Sequence, residues 1–479
     1  MSRTPEQHGA RNAKQRHGNG RPELRDDVDD AQIVRREAAR SARNMTLGRV
    51  VHAAYLIVRI VACALGIGFL VLIYFNASVN ARANREDEVV SMPGTDTDGD
   101  ALSRAVAAAA GQPAIPGNAV EIYQNGDEIF PPMLDSIAQA RSSVHFVTYV
   151  YHAGAVPSAF ADAFASAAQR GVAVRIVLDS DGAKHASPAL IARMRAAGCN
   201  VQWFRPARWY DWENYNRRTH RRLLIVDGAI GFTGGVGIAD EWSGAGDTPH
   251  HWRDTHARIT GPAVASLQRA FVDTWNDTTG ELVLGAELFP TLTTRGDTTV
   301  SIVQSNPANA TSTAQRAVAA LIASAQRSLA ITNPYFVPTP AFIDALCRAQ
   351  ARGVDVKILM PGPYHNKPAV RRASRHTWRR LLTGGVRLFE HQRTMVHAKV
   401  IVVDEVMLCV GSINFDPRSF ALNAECAAIA FDADLTRAAA RQFDNDLQSC
   451  REVVLSDLDA HSPMTWAVDG LAYWFRAQL

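Results

Sequence analysis

Lysine is scarce in this chain of 479 residues, with only Lys14, Lys184, Lys357, Lys367 and Lys399 among 50 basic Lys and Arg side chains, so arginine is the default cation. The formal net charge is only +3, which argues against a strongly basic nucleic-acid binder and leaves room for no more than a local patch. Cysteine is sparse as well. Cys63, Cys199, Cys347, Cys409, Cys426 and Cys450 are scattered without C-x-x-C spacing, which points to neither a zinc site nor a disulfide framework, and most sit inside apolar patterns as core residues. The first 44 residues lack aromatic side chains and read as a polar, disordered or loosely helical tail, within which DDAQIVRREAARSAR could form a short charged helix. Long apolar runs are equally rare. One occurs, Val50–Phe75, interrupted only by His52 and Arg59, and no second run of that character exists to pack against it. It reads as a single transmembrane anchor, its short uncharged core Ile60–Phe75 extended by Leu56–Val58 and a snorkelling Arg59.

Charge around that run sets an expected orientation. Arg35, Arg36, Arg40, Arg43 and Arg49 precede it, whereas Arg82 and Arg85 follow it beside Glu86, Asp87 and Glu88. The positive-inside rule puts the N-terminus in the cytoplasm and the rest on the outer, periplasmic side of an inner membrane. The expected organisation is a disordered cytoplasmic tail over 1–49, the anchor over 50–76, a linker over 77–118, folded domains over 119–290 and 291–455, and a C-terminal amphipathic segment over 456–479. That last segment, TWAVDGLAYWFRAQL, resembles an interfacial helix, with packing against the core as the alternative.

With 47% hydrophobic residues the chain can fill two ordinary cores. The two folded parts repeat one another. LDSIAQARSSVHFVTYVY, AFADAFASAAQRG and VAVRIVLD in the first answer to LIASAQRSLAITNPYFVP, FIDALCRAQARG and VDVKILMPG in the second. Helices alternating with apolar strands predict an α/β fold with a mixed, mainly parallel sheet flanked by helices. Arg170-Gly171-Val172 matches Arg352-Gly353-Val354, and the first half is slightly longer thereafter, the surplus falling in the aromatic loop Pro206–Asn216. That loop either lines the mouth of a site, dips into lipid, or packs as an ordinary loop.

The chemistry lies in a stretch that occurs twice. MVHAKVIVVDEVMLCVGSINF carries His397, Lys399 and Asp404, and THRRLLIVDGAIGFTGGVGI carries His220, Arg222 and Asp227 at the same spacing, each Asp followed by a small pair, Gly411-Ser412 or Gly234-Gly235. Each reads as a β-hairpin whose His and cation share one strand face. An imidazole can attack or protonate a phosphoester, while an ammonium, a guanidinium and the amide of Asn414 hold its oxygens. A phosphodiester displacement needs a nucleophile, a proton donor to the leaving oxygen, and positive charge around the phosphoryl oxygens, and two His with Lys399, Arg222 and Asn414 supply these without a metal or other cofactor.

The duplicated pattern is identified with the phospholipase D superfamily, and NPYFVP (Asn333–Pro338), GSINFDPRSF and LNAE (Leu422–Glu425) resemble segments of bacterial cardiolipin synthases. The resemblance implies two pseudo-twofold-related phospholipase D-like domains sharing one site. It further implies a phosphatidyltransferase that moves a phosphatidyl group between phospholipids through a covalent phosphohistidine, with phosphatidylglycerol as the expected donor and the membrane as its setting. Glu241 and Glu425 match the family's acidic positions and are expected to orient the imidazoles, whereas Asp227 and Asp404 are expected to organise the hairpin ends. His220 is favoured as nucleophile and His397 as acid, although the sequence does not order them. Two positions depart from the pattern: Arg222 replaces the usual Lys and Gly237 the usual Asn. Two further readings stay open, a phospholipase D or nuclease-type phosphodiesterase using water, and a catalytically weakened lipid-binding protein. A basic helix holding Lys367, Arg371, Arg372, Arg375, Arg379 and Arg380 reads as a solvated face or as a surface for anionic headgroups. Protein partners and oligomeric state are not legible.

Overall fold

The computed structural model describes residues 26–85, 99–207, 216–306 and 313–478. The chain divides into a unit over Met1–Tyr74 and a unit over Phe75–Leu479. The described part of the first unit is a stretch of one helix, α1 (Asp26–Arg85). It is the one described helix long and apolar enough to cross a membrane, and none of its apolar stretch is buried against protein. Residues 26–49, within the tail expected to be disordered or loosely helical, are helical in continuity with the apolar run, where the Ala and Arg residues of the expected charged helix are good helix formers.

The second unit is built on one 15-stranded sheet. The first half contributes β1 (Ile115–Gln124), β2 (Ser143–Thr148), β3 (Ala173–Asp179), β4 (Asn200–Phe204), β5 (Leu223–Val226), β6 (Ile230–Gly234) and β7 (Thr255–Thr260). The second contributes β8 (Thr298–Ser305), β9 (Ser328–Thr332), β10 (Asp355–Pro361), β11 (Arg387–His391), β12 (Val400–Val403), β13 (Met407–Gly411), β14 (Glu425–Phe431) and an added edge strand β15 (Cys450–Val453). The spatial orders β4-β3-β2-β5-β6-β7-β1 and β11-β10-β9-β12-β13-β14-β8 are the same, and the halves join where β1 lies antiparallel to β8, Ile115 opposite Val300.

The sheet is mixed, as expected, but its balance is antiparallel. Parallel pairing is confined to β2-β3-β4 and β9-β10-β11, where helices make the crossovers. The cassettes themselves are hairpins, and hairpins pair antiparallel. Among the crossover helices, α4 (Ala155–Gln169) and α8 (Pro340–Ala351) stop identically. Gly171 and Gly353 adopt φ of 91° and 92°, and the next residues, Val172 and Val354, donate back to Ala167 O and Ala349 O at 3.1 and 3.2 Å.

The expected linker holds structure. α2 (Gly99–Ala109) lies within it, and its apolar stripe buries Val106 and, just beyond the helix, Ala110 in the core of the second half. A further cluster crosses the seam, joining Leu223, Ile259 and Phe271 to Val300, Ile302 and Cys426, so the halves share a core. Positions 208–215 of the aromatic loop lie outside the described residues.

The arginines of the basic helix, α9 (Pro368–Thr383), are ion-paired, while Arg372, Arg379 and Arg380 stay about half exposed to solvent. Arg375 pairs at 2.9 Å with Asp469, buried on the C-terminal helix α13 (Pro463–Trp474), Arg379 with Asp459 at 2.7 Å, and Arg371 with Glu390. Arg380 pairs with Asp344, and Arg372 lies 3.6 Å from Asp469. α13 is thus fastened by one face, while Met464, Val468 and Leu471 on the other are exposed.

Candidate active site

The two hairpins meet at the seam, and each is built the same way. β5 turns into β6 through Asp227 and Gly228, and β12 into β13 through Asp404 and Glu405, all four with positive φ. Such turns match the twist of antiparallel strands. Asp227 accepts from the backbone N–H groups of Arg141, Ser142 and Ser143, and Asp404 from those of Gln326, Arg327 and Ser328. The two aspartates tie the turn ends of the hairpins to the starts of β2 and β9. They stand at the ends of β5 and β12 remote from the histidines.

At the other ends the halves exchange backbone bonds. His220 N donates to Ala424 O at 2.8 Å, and His397 N donates to Arg253 O at 2.7 Å. The side chains repeat the exchange. Glu425 of the second half lies with its oxygens 3.0 and 3.1 Å from His220 Nδ1, and Asp254 of the first half lies 2.8 Å from His397 Nδ1. All four side chains are buried. Each imidazole is therefore backed by a carboxylate from the opposite half, an arrangement that fixes the Nδ1–H tautomer and leaves Nε2 toward the cavity.

Glu241 does not take that place. It lies 3.6 Å from His152 Nδ1 and is substantially exposed. The sheet register explains the correction: Gly411 pairs with Ala427 and its counterpart Gly234 pairs with His256, so the residue equivalent to Glu425 is Asp254. Asp254 stands immediately before the alternating strand THARIT, as Glu425 opens ECAAIAF, and that position was the signal available in the sequence.

A cation stands over each ring. Arg222 Nη2 is 3.0 Å from His220 Nε2 and Nη1 is 2.9 Å from His220 O. Lys399 Nζ lies 3.0 Å from His397 Nδ1 and 3.1 Å from Nε2 and also bonds His397 O. The guanidinium thus occupies the place that the ammonium holds in the other cassette. Gly237 is explained by what fills its surroundings, since a Cβ there would stand 2.8 Å from Val150 Cβ and 3.0 Å from the Trp242 ring. Trp242 is buried, its ring centroid is 5.1 Å from that of His397, and its Nε1 donates to Asp254 at 2.8 Å. In the second half the corresponding Asn414 lines the cavity, and Glu425 is held by the hydroxyls of Ser412 and, at 2.7 Å, Ser419.

The cavity measures about 180 Å³ and takes its lining from both halves, including Tyr149, His220, Arg222, Trp252, Tyr335 and His397. Burial, reinforced by Arg222 and Lys399, holds His220 well below the usual imidazole range. Burial and Lys399 push His397 down to about 3. Burial pushes Glu425 up to about 7. Burial presses Asp254 upward too, but the hydrogen bond from His397 and the nearby Lys399 charge prevail and hold it well below the carboxylate range. Both imidazoles are thus neutral and face positive charge, a setting that calls for an anion.

A family model described as "Cardiolipin synthase, PLD-like domain" matches residues 133–244 and 318–447. The chain belongs to this family. Its relatives include cardiolipin synthase 2 of Bacillus anthracis, 35% identical over 332 residues, which are 69% of this chain and 64% of that protein. The cardiolipin synthase of Oceanobacillus iheyensis is 32% identical over 346 residues, 72% of each chain. The match to the Bacillus anthracis protein thus covers just under two thirds of that relative's length. Among solved structures, the crystal structure of phosphatidylserine synthase from Haemophilus influenzae Rd KW20 superposes with a TM-score of 0.62 at 14% identity, over 79% of this chain and all of that one, a likeness of fold. Within the family match, Glu425 falls inside the second segment and Asp254 beyond the end of the first.

Proposed function

We propose that this member of the family is a phosphatidyltransferase of the cardiolipin synthase type, with phosphatidylglycerol as donor. The observation that carries the reading is the pair of buried imidazoles in one cavity, each backed by a carboxylate and faced by a cation. In the first step His220 Nε2 attacks the donor phosphorus, the P–O bond to the headgroup breaks, and the departing oxygen takes the proton from His397. In the second step the acceptor hydroxyl gives its proton to His397, its oxygen forms the new P–O bond, and the P–N bond to His220 breaks. Arg222, Lys399 and Asn414 hold the phosphoryl oxygens throughout. His397 must enter the first step protonated; the phosphodiester charge offsets Lys399 and Arg222 and so raises its proton affinity. A cavity of about 180 Å³ suits a phosphate with its headgroup and leaves acyl chains outside.

The test is product analysis with labelled phosphatidylglycerol in detergent, alone and with phosphatidylethanolamine added. Cardiolipin is the expected product, and phosphatidic acid without cardiolipin would replace this reading by a hydrolase. The chain's placement follows the charge asymmetry around the apolar run, with the N-terminus cytoplasmic and the folded unit outside. A C-terminal reporter active only in the cytoplasm would reverse that orientation.

A further inference from the structure

We propose that one wall of the cavity is a subsite for the acceptor lipid, in which Arg418 and Lys367 take the phosphate of a second phospholipid and the carboxamide of Asn423 takes the free hydroxyl of its headgroup. The inference rests on the transferase reading above. The wall forms where 216–220 and 418–424 run against one another across the seam. Asn423 N donates to Arg418 O and Ala424 N to Arg218 O, both at 2.9 Å, and Ala424 O accepts from His220 N at 2.8 Å. The Arg418 guanidinium is aimed by two 3.1 Å bonds to Asn216, one to its side chain and one to its carbonyl. Asn423 therefore belongs to the same backbone network that positions the proposed nucleophile.

Asn423 lines the cavity, is only 6% exposed, and its Oδ1 has no hydrogen-bond partner among the described residues. Asn414 Oδ1, also in the lining, is in the same state. A buried carboxamide oxygen without a donor is costly, and a headgroup alcohol supplies the donor. Charge points the same way. Arg222 and Lys399 already stand over the reacting rings, and Arg418 and Lys367 add two cations to the surroundings of the cavity. Among the described lining residues the cations are Arg222, Lys367, Arg418 and Arg218, the last paired with Asp179 at 3.5 Å, and the one carboxylate is Asp416, which burial pushes up to about 6; Asp254 and Glu425 stand behind the imidazoles, outside the lining. That is more positive charge than a single phosphodiester needs. A hydrolase, whose acceptor is water, has no use for the second pair, whereas a transferase joining two phospholipids must hold two phosphates.

The experiment measures partition of labelled phosphatidylglycerol, incubated with the full chain in mixed micelles, between cardiolipin and phosphatidic acid. Arg418→Gln, Lys367→Gln and Asn423→Ala are each expected to lower the cardiolipin-to-phosphatidic acid ratio about tenfold, whatever the total turnover, with Arg418→Lys restoring most of it. Free glycerol carrying its own label, read as exchange into phosphatidylglycerol, and glycerol 3-phosphate, read as phosphatidylglycerophosphate, separate the two contacts as competing acceptors. Arg418→Gln should reduce transfer to the phosphorylated acceptors relative to glycerol, and Asn423→Ala should reduce transfer to all three relative to water. Ratios within twofold of wild type in all three variants would overturn the subsite while leaving the transferase reading intact. Lys367→Gln keeps that outcome readable if a wall variant fails to fold. Wild-type protein that releases only phosphatidic acid would remove the transferase reading and the subsite with it.

Discussion

The two cassettes look alike in sequence and are supported differently in space. His397 has a short carboxylate, Asp254, reached because Gly235 carries no side chain and Trp242 donates to it; a Cβ on Gly235 would come within 2.0 Å of Asp254 Oδ1. His220 has a longer carboxylate, Glu425, held by Ser412 and Ser419. Asp254 stays ionised, whereas Glu425 titrates near 7. The comparison teaches that a duplicated site can keep its geometry while dividing its electrostatics. It also shows that the departures at Arg222 and Gly237 are matched by their surroundings, because Arg222, like Lys399, bonds both the ring and the carbonyl of its own histidine and Trp242 fills the space beside Gly237.

The most severe way to break the comparison is to remove each imidazole. His220→Ala and His397→Ala should each lower turnover roughly 10³-fold or more. Only His397→Ala should still form a phosphatidyl-protein adduct from labelled donor; adduct in His220→Ala and none in His397→Ala would exchange the two roles.

Next in size is the loss of each carboxylate. Asp254→Asn and Glu425→Gln should each cost about 10²- to 10⁴-fold in kcat, as expected for groups that orient an imidazole and stabilise its charged form. Glu241→Ala, at the position first favoured from the sequence, should stay within about twofold of wild type. A large loss in Glu241→Ala with none in Asp254→Asn would contradict the assignment.

The pH profile sharpens the difference between the halves. Glu425 is ionised only above its raised value near 7, so activity should fall as pH drops through about 7, by about tenfold per unit below it. Glu425→Gln should lower the plateau and abolish this limb, while Asp254→Asn should retain it, because Asp254 remains ionised throughout that range. A limb that persists in Glu425→Gln would assign the titration elsewhere.

Among the residues that contact the imidazoles of His220 and His397, the smallest expected effect is at the departure itself. Arg222→Lys should alter kcat/KM by only about threefold, because an ammonium serves at the equivalent place in the other cassette. A loss of 10²-fold would mean that the planar fork is required.

The sequence by itself determined a good deal. The apolar run marked a helix able to span a bilayer, Gly171 and Gly353 marked two helix ends, and the repeated spacing marked two hairpins carrying His220, Arg222, His397 and Lys399. These are local properties, set by period, turn chemistry and the alternation of a strand. Only the tertiary structure decided which carboxylate serves which imidazole. Asp254 and Glu425 cross from one half to the other, and their equivalence is a matter of strand register, which residue spacing does not carry when the segment after one small pair is longer. The antiparallel balance of the sheet escaped the pattern for a related reason, since an apolar strand reads the same whichever way its neighbour runs. Likewise the arginines of α9 form one sequence cluster but part company in space, because their acidic partners lie on other elements that packing brings to them.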